Sequence, residues 1–282
     1  MSDPVRISPI HRLRRYRPRP RPRFKGQSFN RVIPNLMTLI GLCVGLTAMR
    51  FALEGRFGAA AVAITVAGVI DGLDGRLARL LKATSRFGAE FDSLSDFLCF
   101  GVAPAFILYM WSLQKLGAYG YTPCLMFTVC MALRLARFNA AIDGAPAPAY
   151  AYNFFTGVPA PAGAGLVLFP LFLGLEARAI DSEWLLMVSH SPALNAGVLA
   201  GIAVLLVSTL PVWSFKNFKV PSAYMLPLLL GTGFFAAILI ADPWAALAVA
   251  GLIYLGMLPF SVRSFRRLKR EAEAMRDAGP ST

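Results

Sequence analysis

Charge is scarce in this chain. Only 15% of its 282 residues are charged and 56% are hydrophobic, whereas a soluble domain carries about 25% charged residues. An ordinary soluble fold is thereby excluded. Repeated apolar runs of about 20 residues point instead to a polytopic helical membrane protein. Cysteine is also sparse. Cys43, Cys99, Cys124 and Cys130 fall in or near apolar segments without paired spacing; this excludes a disulfide frame and a zinc site and reads as reduced, buried thiols. Acidic residues number 15 against 28 Lys and Arg, a net charge of +13. That excess indicates no nucleic-acid partner, because the basic residues collect in the tails and in alternate loops, the pattern of membrane orientation. The first 30 residues lack the apolar core and small-residue cleavage site of a secretory signal. They hold a basic, proline-rich arm, RLRRYRPRPRPRFK from Arg12 to Lys25. It reads as extended, and as a topology determinant or a contact for anionic lipids at about 1 kcal/mol per basic residue.

What is there is an all-α membrane architecture. Eight transmembrane helices are expected, near 32–50, 57–81, 91–113, 119–141, 157–175, 193–213, 222–240 and 243–261. They divide the chain into the arm (1–30), a transmembrane domain (31–262) and a charged tail (263–282) read as a short interfacial or solvated helix. Placing the basic residues along these spans puts 24 of the 28 on one side, leaving only Arg50, Arg56, Lys115 and Arg178 on the other. Both termini are therefore expected in the cytoplasm, in the inner membrane. The outer segment 176–192, with Glu176, Asp181, Glu183 and His190, reads as a solvated connection.

Against that apolar background, four aspartates fall within the 26 residues from Asp71 to Asp96. A carboxylate at a bilayer centre costs roughly 2.5–3.5 kcal/mol on insertion scales, so such residues default to a functional hypothesis. At about 100° per residue, Asp71, Asp74 and Ala78 share one helix face, as do Gly88, Asp92 and Asp96. Two facing helices would converge four carboxylates at the cytoplasmic ends of spans two and three. Oxygen donors suit Mg2+ or Mn2+, and four carboxylates can hold two ions. A two-metal site with a cytosolic mouth suits phosphoryl-type transfer. Gly75, Ala78 and Gly88 keep its walls small, and Arg79 can pair with a phosphate. Two other readings stand beside this one: an aspartate pairing with Arg76 or Arg79 for packing, and an ion or proton relay in a transporter.

The positions Asp71, Asp74, Gly75, Ala78 and Arg79, followed after eight residues by Gly88, Asp92 and Asp96, resemble the signature of the CDP-alcohol phosphatidyltransferase family. The resemblance implies a helical membrane enzyme, a homodimer, in which an alcohol attacks a CDP-linked lipid and CMP leaves. It also implies metal ligation by Asp71, Asp74, Asp92 and Asp96, with Asp96 as base, and CDP-lipid contacts at Gly75, Ala78, Arg79, Ser85 and Gly88. The PNLMT stretch, Pro34 to Thr38, is similar to another nucleotide-contacting segment and adds Asn35 and Thr38.

The acceptor is read from elsewhere. FDSLSDFLCFGVAPA (Phe91 to Ala105), RLARFN (Arg134 to Asn139) and FTGVPAPAGAG (Phe155 to Gly165) resemble the phosphatidylserine synthase branch. That implies CDP-diacylglycerol and L-serine as substrates. Arg134 and Arg137 can hold serine's carboxylate, with Asn139 as a neutral partner; as positive-inside anchors they have an equally good reading. Glycerol phosphate, inositol, its phosphate or choline are the competing acceptors. His11 and His190 are the only histidines and neither begins an H-x-K motif, so a covalent phosphohistidine route is not expected.

Overall fold

The computed structural model describes residues 32–142, 154–213 and 224–277. The basic arm, Lys216 and Lys219 lie outside them. The described chain is helical apart from one small two-stranded ribbon, so it is an all-α polytopic membrane protein. Helices α1 (Val32–Leu53) and α2 (Phe57–Leu80) form an antiparallel pair. Small residues let their backbones approach: Gly41, Gly45, Ala48 and Ala52 of α1 are buried, as are Ala60, Ala63 and Ala67 of α2. This is how helices associate in lipid, where no hydrophobic force separates one apolar surface from another.

A continuous helical rod then runs from Arg86 to Leu116. It opens as α3 (Arg86–Asp96), widens into a π-helical turn over Phe97–Val102, and resumes as α4 (Ala103–Leu108). The widening has a covalent cause. Pro104 has no N–H to give the carbonyl one turn back, so the ladder re-registers ahead of it. The rod returns through α5 (Ala118–Ile142), and the ribbon pairs β1 (Phe154–Thr156) antiparallel with β2 (Pro211–Trp213).

Between the strands lie two bent pairs. Helices α6 (Ala160–Val167) and α7 (Phe169–Ala179) meet at 45°, and α8 (Glu183–Ser189) and α9 (Pro192–Val207) at 51°. The bends sit at Pro170 and Pro192, each in the first turn after its break. Last come α10 (Met225–Ala241) and α11 (Pro243–Asp277). Among the described residues, five helices are long and apolar enough to cross a membrane, or up to seven if each bent pair is one span. The expected span that falls short is the seventh, 222–240: it is α10, an apolar helix of only 17 residues that buries none of them. The expected separate tail is not a separate helix: α11 runs unbroken past residue 262.

The segment expected on the outer side is corrected too. Residues 176–192 are largely helical and partly buried, not a solvated connection. Ser189 is fully buried, and its carbonyl accepts from Trp111 Nε1 at 3.1 Å and Asn195 Nδ2 at 2.8 Å. The His190 and Trp111 rings meet edge to face at 3.9 Å.

The ribbon depends on a glycine. Gly157 has φ +79, and a Cβ there would lie 3.0 Å from the carbonyl oxygens of Leu206 and Ser208. Gly157→Ala is expected to cost about 1–3 kcal/mol through the left-handed backbone alone, seen as a lowered melting temperature in detergent.

Candidate active site

Helix α3 starts where it does because Ser85 caps it. Ser85 is extended at φ −141 and ψ 155, and its Oγ accepts from Gly88 N at 3.0 Å. The short connection from Leu81 to Ser85 turns the chain back so that α3 packs on α1 and its aspartates face those of α2. The carboxylate oxygens of Asp71, Asp74 and Asp92 lie within 4.8 Å of one another. The Asp96 carboxyl is in hydrogen-bond contact with that of Asp71. All four expected aspartates are thus brought together.

Asp74 is the most enclosed, at 3% exposure. Thr38 of α1 donates to its Oδ2 at 2.7 Å, with the Pro34 carbonyl 3.1 Å away as the alternative acceptor. A single hydroxyl proton serves one acceptor at a time unless shared. Thr38 therefore holds a carboxylate in orientation, which is more than lining a nucleotide site. The donor set fits a hard divalent cation: oxygens only, half-buried, from two rigid helices. Two unit charges about 5 Å apart repel by about 3 kcal/mol at an effective dielectric near 20, so a multiply ionised cluster calls for a counter-cation.

A cavity of about 190 Å3 opens beside the cluster. Asn35, Thr38, Gly75, Ala78, Ser85 and Gly88 all line it, together with Asp74 and Asp92. Of the residues expected to contact a CDP-lipid, only Arg79 is absent from this wall; it is exposed in the last turn of α2. The two glycines do different work. At Gly88 a Cβ would lie 2.9 Å from Asn35 Oδ1 and 3.1 Å from Ser85 Oγ, so the fold itself needs the missing side chain. At Gly75 a Cβ would meet nothing within 4 Å. Folding does not require that glycine. Pro34 and Thr84 also line the cavity and were missed; Pro34 opens the PNLMT stretch that carried the signal.

The three residues expected at the acceptor separate. Arg134 donates from Nε to the Val158 carbonyl at 2.6 Å and interacts electrostatically with Asp96, so it belongs beside the cluster. Arg137 points instead at the end of α9. Its Nη1 donates to the Val207 carbonyl at 2.7 Å, and its Nη2 is shared among the Thr156, Leu206 and Ser208 carbonyls at 3.2–3.4 Å. It satisfies orphan C-terminal carbonyls and ties β1 to α9. Asn139 and Ser93 exchange hydrogen bonds of 3.0 and 3.3 Å, which brace α3 against α5 one residue from Asp92.

Comparison with known proteins bears on the chemistry. A family model described as CDP-alcohol phosphatidyltransferase matches residues 31–207, and one described as CDP-alcohol phosphatidyltransferase 2 matches 223–259. The chain is similar to a CDP-diacylglycerol–serine O-phosphatidyltransferase of Mycobacterium leprae, 39% identical over 91% of this chain and 83% of that one. Proteins of the same name from Helicobacter pylori (33% identical, 79% of this chain, 88% of that one) and Bacillus subtilis (31%, 66% and 91%) are also similar.

Proposed function

The chain belongs to the CDP-alcohol phosphatidyltransferase family, and from that premise we propose that it transfers the phosphatidyl group of CDP-diacylglycerol to the hydroxyl of L-serine, giving phosphatidylserine and CMP. One observation carries the chemistry: of three carboxylates with oxygens within 4.8 Å of one another, two, Asp74 and Asp92, border a cavity walled by small residues and a Ser85-capped helix start. The choice of serine is supported by the names of the relatives and by Arg134 beside Asp96.

Asp71, Asp74, Asp92 and Asp96 would hold two Mg2+ or Mn2+ ions, whose charge would offset that of the diphosphate and of the departing CMP. The chain's own residues do the rest. Thr38 fixes the Asp74 carboxylate. Asn35, Ser85 and the open backbone at Gly75 receive the nucleotide diphosphate, while Arg134 pairs with serine's carboxylate. Asp96 accepts the proton as serine's hydroxyl oxygen attacks the lipid-bearing phosphorus. The phosphoanhydride bond breaks, its bridging oxygen leaves with CMP, and no covalent enzyme intermediate forms. The site opens to the cytoplasm from the inner membrane, and the enzyme works as a homodimer.

The deciding experiment offers purified protein CDP-diacylglycerol with serine, glycerol phosphate, inositol, inositol phosphate or choline in turn. Phosphatidylserine and CMP in equal amounts are expected from serine alone. Turnover of another alcohol with none of serine overturns the acceptor. A narrower test uses Gly75. Gly75→Ala is expected to fold like the parent but to raise the KM for CDP-diacylglycerol about tenfold, a loss of ~1.4 kcal/mol. An unchanged KM would mean the diphosphate does not lie against that backbone.

A further inference from the structure

A second cavity, of about 290 Å3, is lined by α2, the π-helical turn, α6, α7 and α11, and meets α2 one to two turns before Asp71. None of the residues proposed above as metal or nucleotide contacts lines it. Its walls are apolar: Ile64, Phe100, Leu166, Phe172 and Leu247 contribute side chains, and Gly68, Gly165 and Gly251 keep it open. The small-residue stretch VPAPAGAG, which leads into α6 and forms its first six residues, is thereby explained. Pro161, Ala162, Ala164 and Gly165 face this groove and not the nucleotide cavity. A site of this size is at the low end for ligands, which occupy roughly 300–1,000 Å3, and an apolar lining selects a hydrocarbon occupant.

Two features connect the groove to the chemistry. Phe100 walls it on one side and on the other lines the small crevice holding Asp71, Asp74 and Asp96. Gly68 lies three residues, one helical turn, before Asp71 on α2. A lipid whose phosphate sits at the aspartates can therefore run a chain past Phe100 into the groove. The third feature is polar. Tyr254 of α11 lines the groove, and its hydroxyl is buried without a hydrogen-bond partner among the described residues. It also lies near Arg134 electrostatically, and so toward the reacting end. A buried phenol hydroxyl normally finds a partner. In an apolar groove, the group that a diacyl lipid brings is an ester carbonyl.

We infer that the groove closed by α11 seats one acyl chain of the lipid donor, and that the Tyr254 hydroxyl donates to its ester carbonyl. The inference rests on the CDP-linked lipid donor proposed above. It gives the last helix a part in substrate selection: α11 walls the groove with Leu247 and Gly251 and contributes Tyr254.

The test uses the full chain in mixed micelles with three donors: CDP-dioleoylglycerol, a short-chain CDP-dihexanoylglycerol, and the ether-linked CDP-dioleylglycerol, which has no ester carbonyl. Tyr254→Phe is expected to raise the KM for the dioleoyl ester about fivefold, the worth of one hydrogen bond. It should leave the KM for the ether lipid and for serine unchanged, with kcat unaltered. Gly165→Leu fills the groove at a position where a Cβ meets nothing within 4 Å. It should raise the KM for the long-chain donor and spare the short one. A donor with a diazirine in mid-chain should photolabel residues 161–172 or 247–254. Equal effects of Tyr254→Phe on ester and ether donors overturn the carbonyl contact, as does a raised KM for serine. Labelling elsewhere, alongside normal CMP release, overturns the groove. Absence of CMP release from every donor would instead overturn the donor itself.

Discussion

Asp96→Asn is expected to lower CMP release by at least about 1,000-fold, within the range that a positioned general base contributes, while the protein still inserts, purifies and melts cooperatively. Asparagine keeps the shape of the side chain but cannot accept the hydroxyl proton, and it ligates a cation more weakly. The fold has no stake in the charge. Asp96 contacts Asp71, another carboxyl, and among the described residues the cation that acts on it is Arg134, which also has the Val158 carbonyl. Neutralising one of four clustered carboxylates removes like-charge repulsion, so the metal-free variant should melt no lower than the parent. A simultaneous fall in activity and in melting temperature would mean that the aspartate is structural. Ion or proton flux in sealed vesicles without CMP release would favour a transporter. An Asp92→Asn variant with full activity would leave the cluster no chemical role.

The aspartate face was legible because helical periodicity maps short gaps directly onto geometry. Asp71 and Asp74, or Asp92 and Asp96, lie within one turn of each other, so their convergence needed only two helices and a tight turn. The glycine at Gly88 was legible in identity but not in cause; it clears Asn35, which arrives from α1. What stayed illegible depends on distant backbone. Arg137 caps a helix end about 70 positions away, and no local pattern distinguishes a guanidinium for carbonyls from one for a carboxylate. Arg134, three residues earlier, falls on the side of α5 nearer Asp96. The span count also shifted, because apolar runs do not report bends: Pro170 and Pro192 break helices that hydropathy reads as continuous or as loop. Tyr254 had no sequence signal at all. Its hydroxyl becomes conspicuous only when the packing leaves it buried and unpartnered.

Removing divalent cations should abolish turnover completely, and the way it returns tests the ligand set. With EDTA the four carboxylates keep Arg134 as a nearby counter-charge among the described residues, and the diphosphate would have to approach an acidic cluster against repulsion. Adding Mg2+ or Mn2+ back should restore activity; Ca2+, with its longer bonds and looser geometry, should bind without supporting comparable rates. Binding must also appear as stability, because a ligand that binds only the folded state stabilises it by about 2.7 kcal/mol at a hundred times its Kd. Melting temperature in detergent should therefore climb with metal concentration in the parent and much less in Asp92→Asn, whose carboxylate is one of the three that lie within 4.8 Å of each other. Thr38→Val separates orientation from ligation. It keeps every carboxylate but removes the 2.7 Å hydrogen bond to Asp74, so the metal-dependent shift should persist at higher metal concentration. If the shift in Asp92→Asn equals that of the parent, the ion is held elsewhere; if EDTA leaves turnover intact, the aspartates act without a metal.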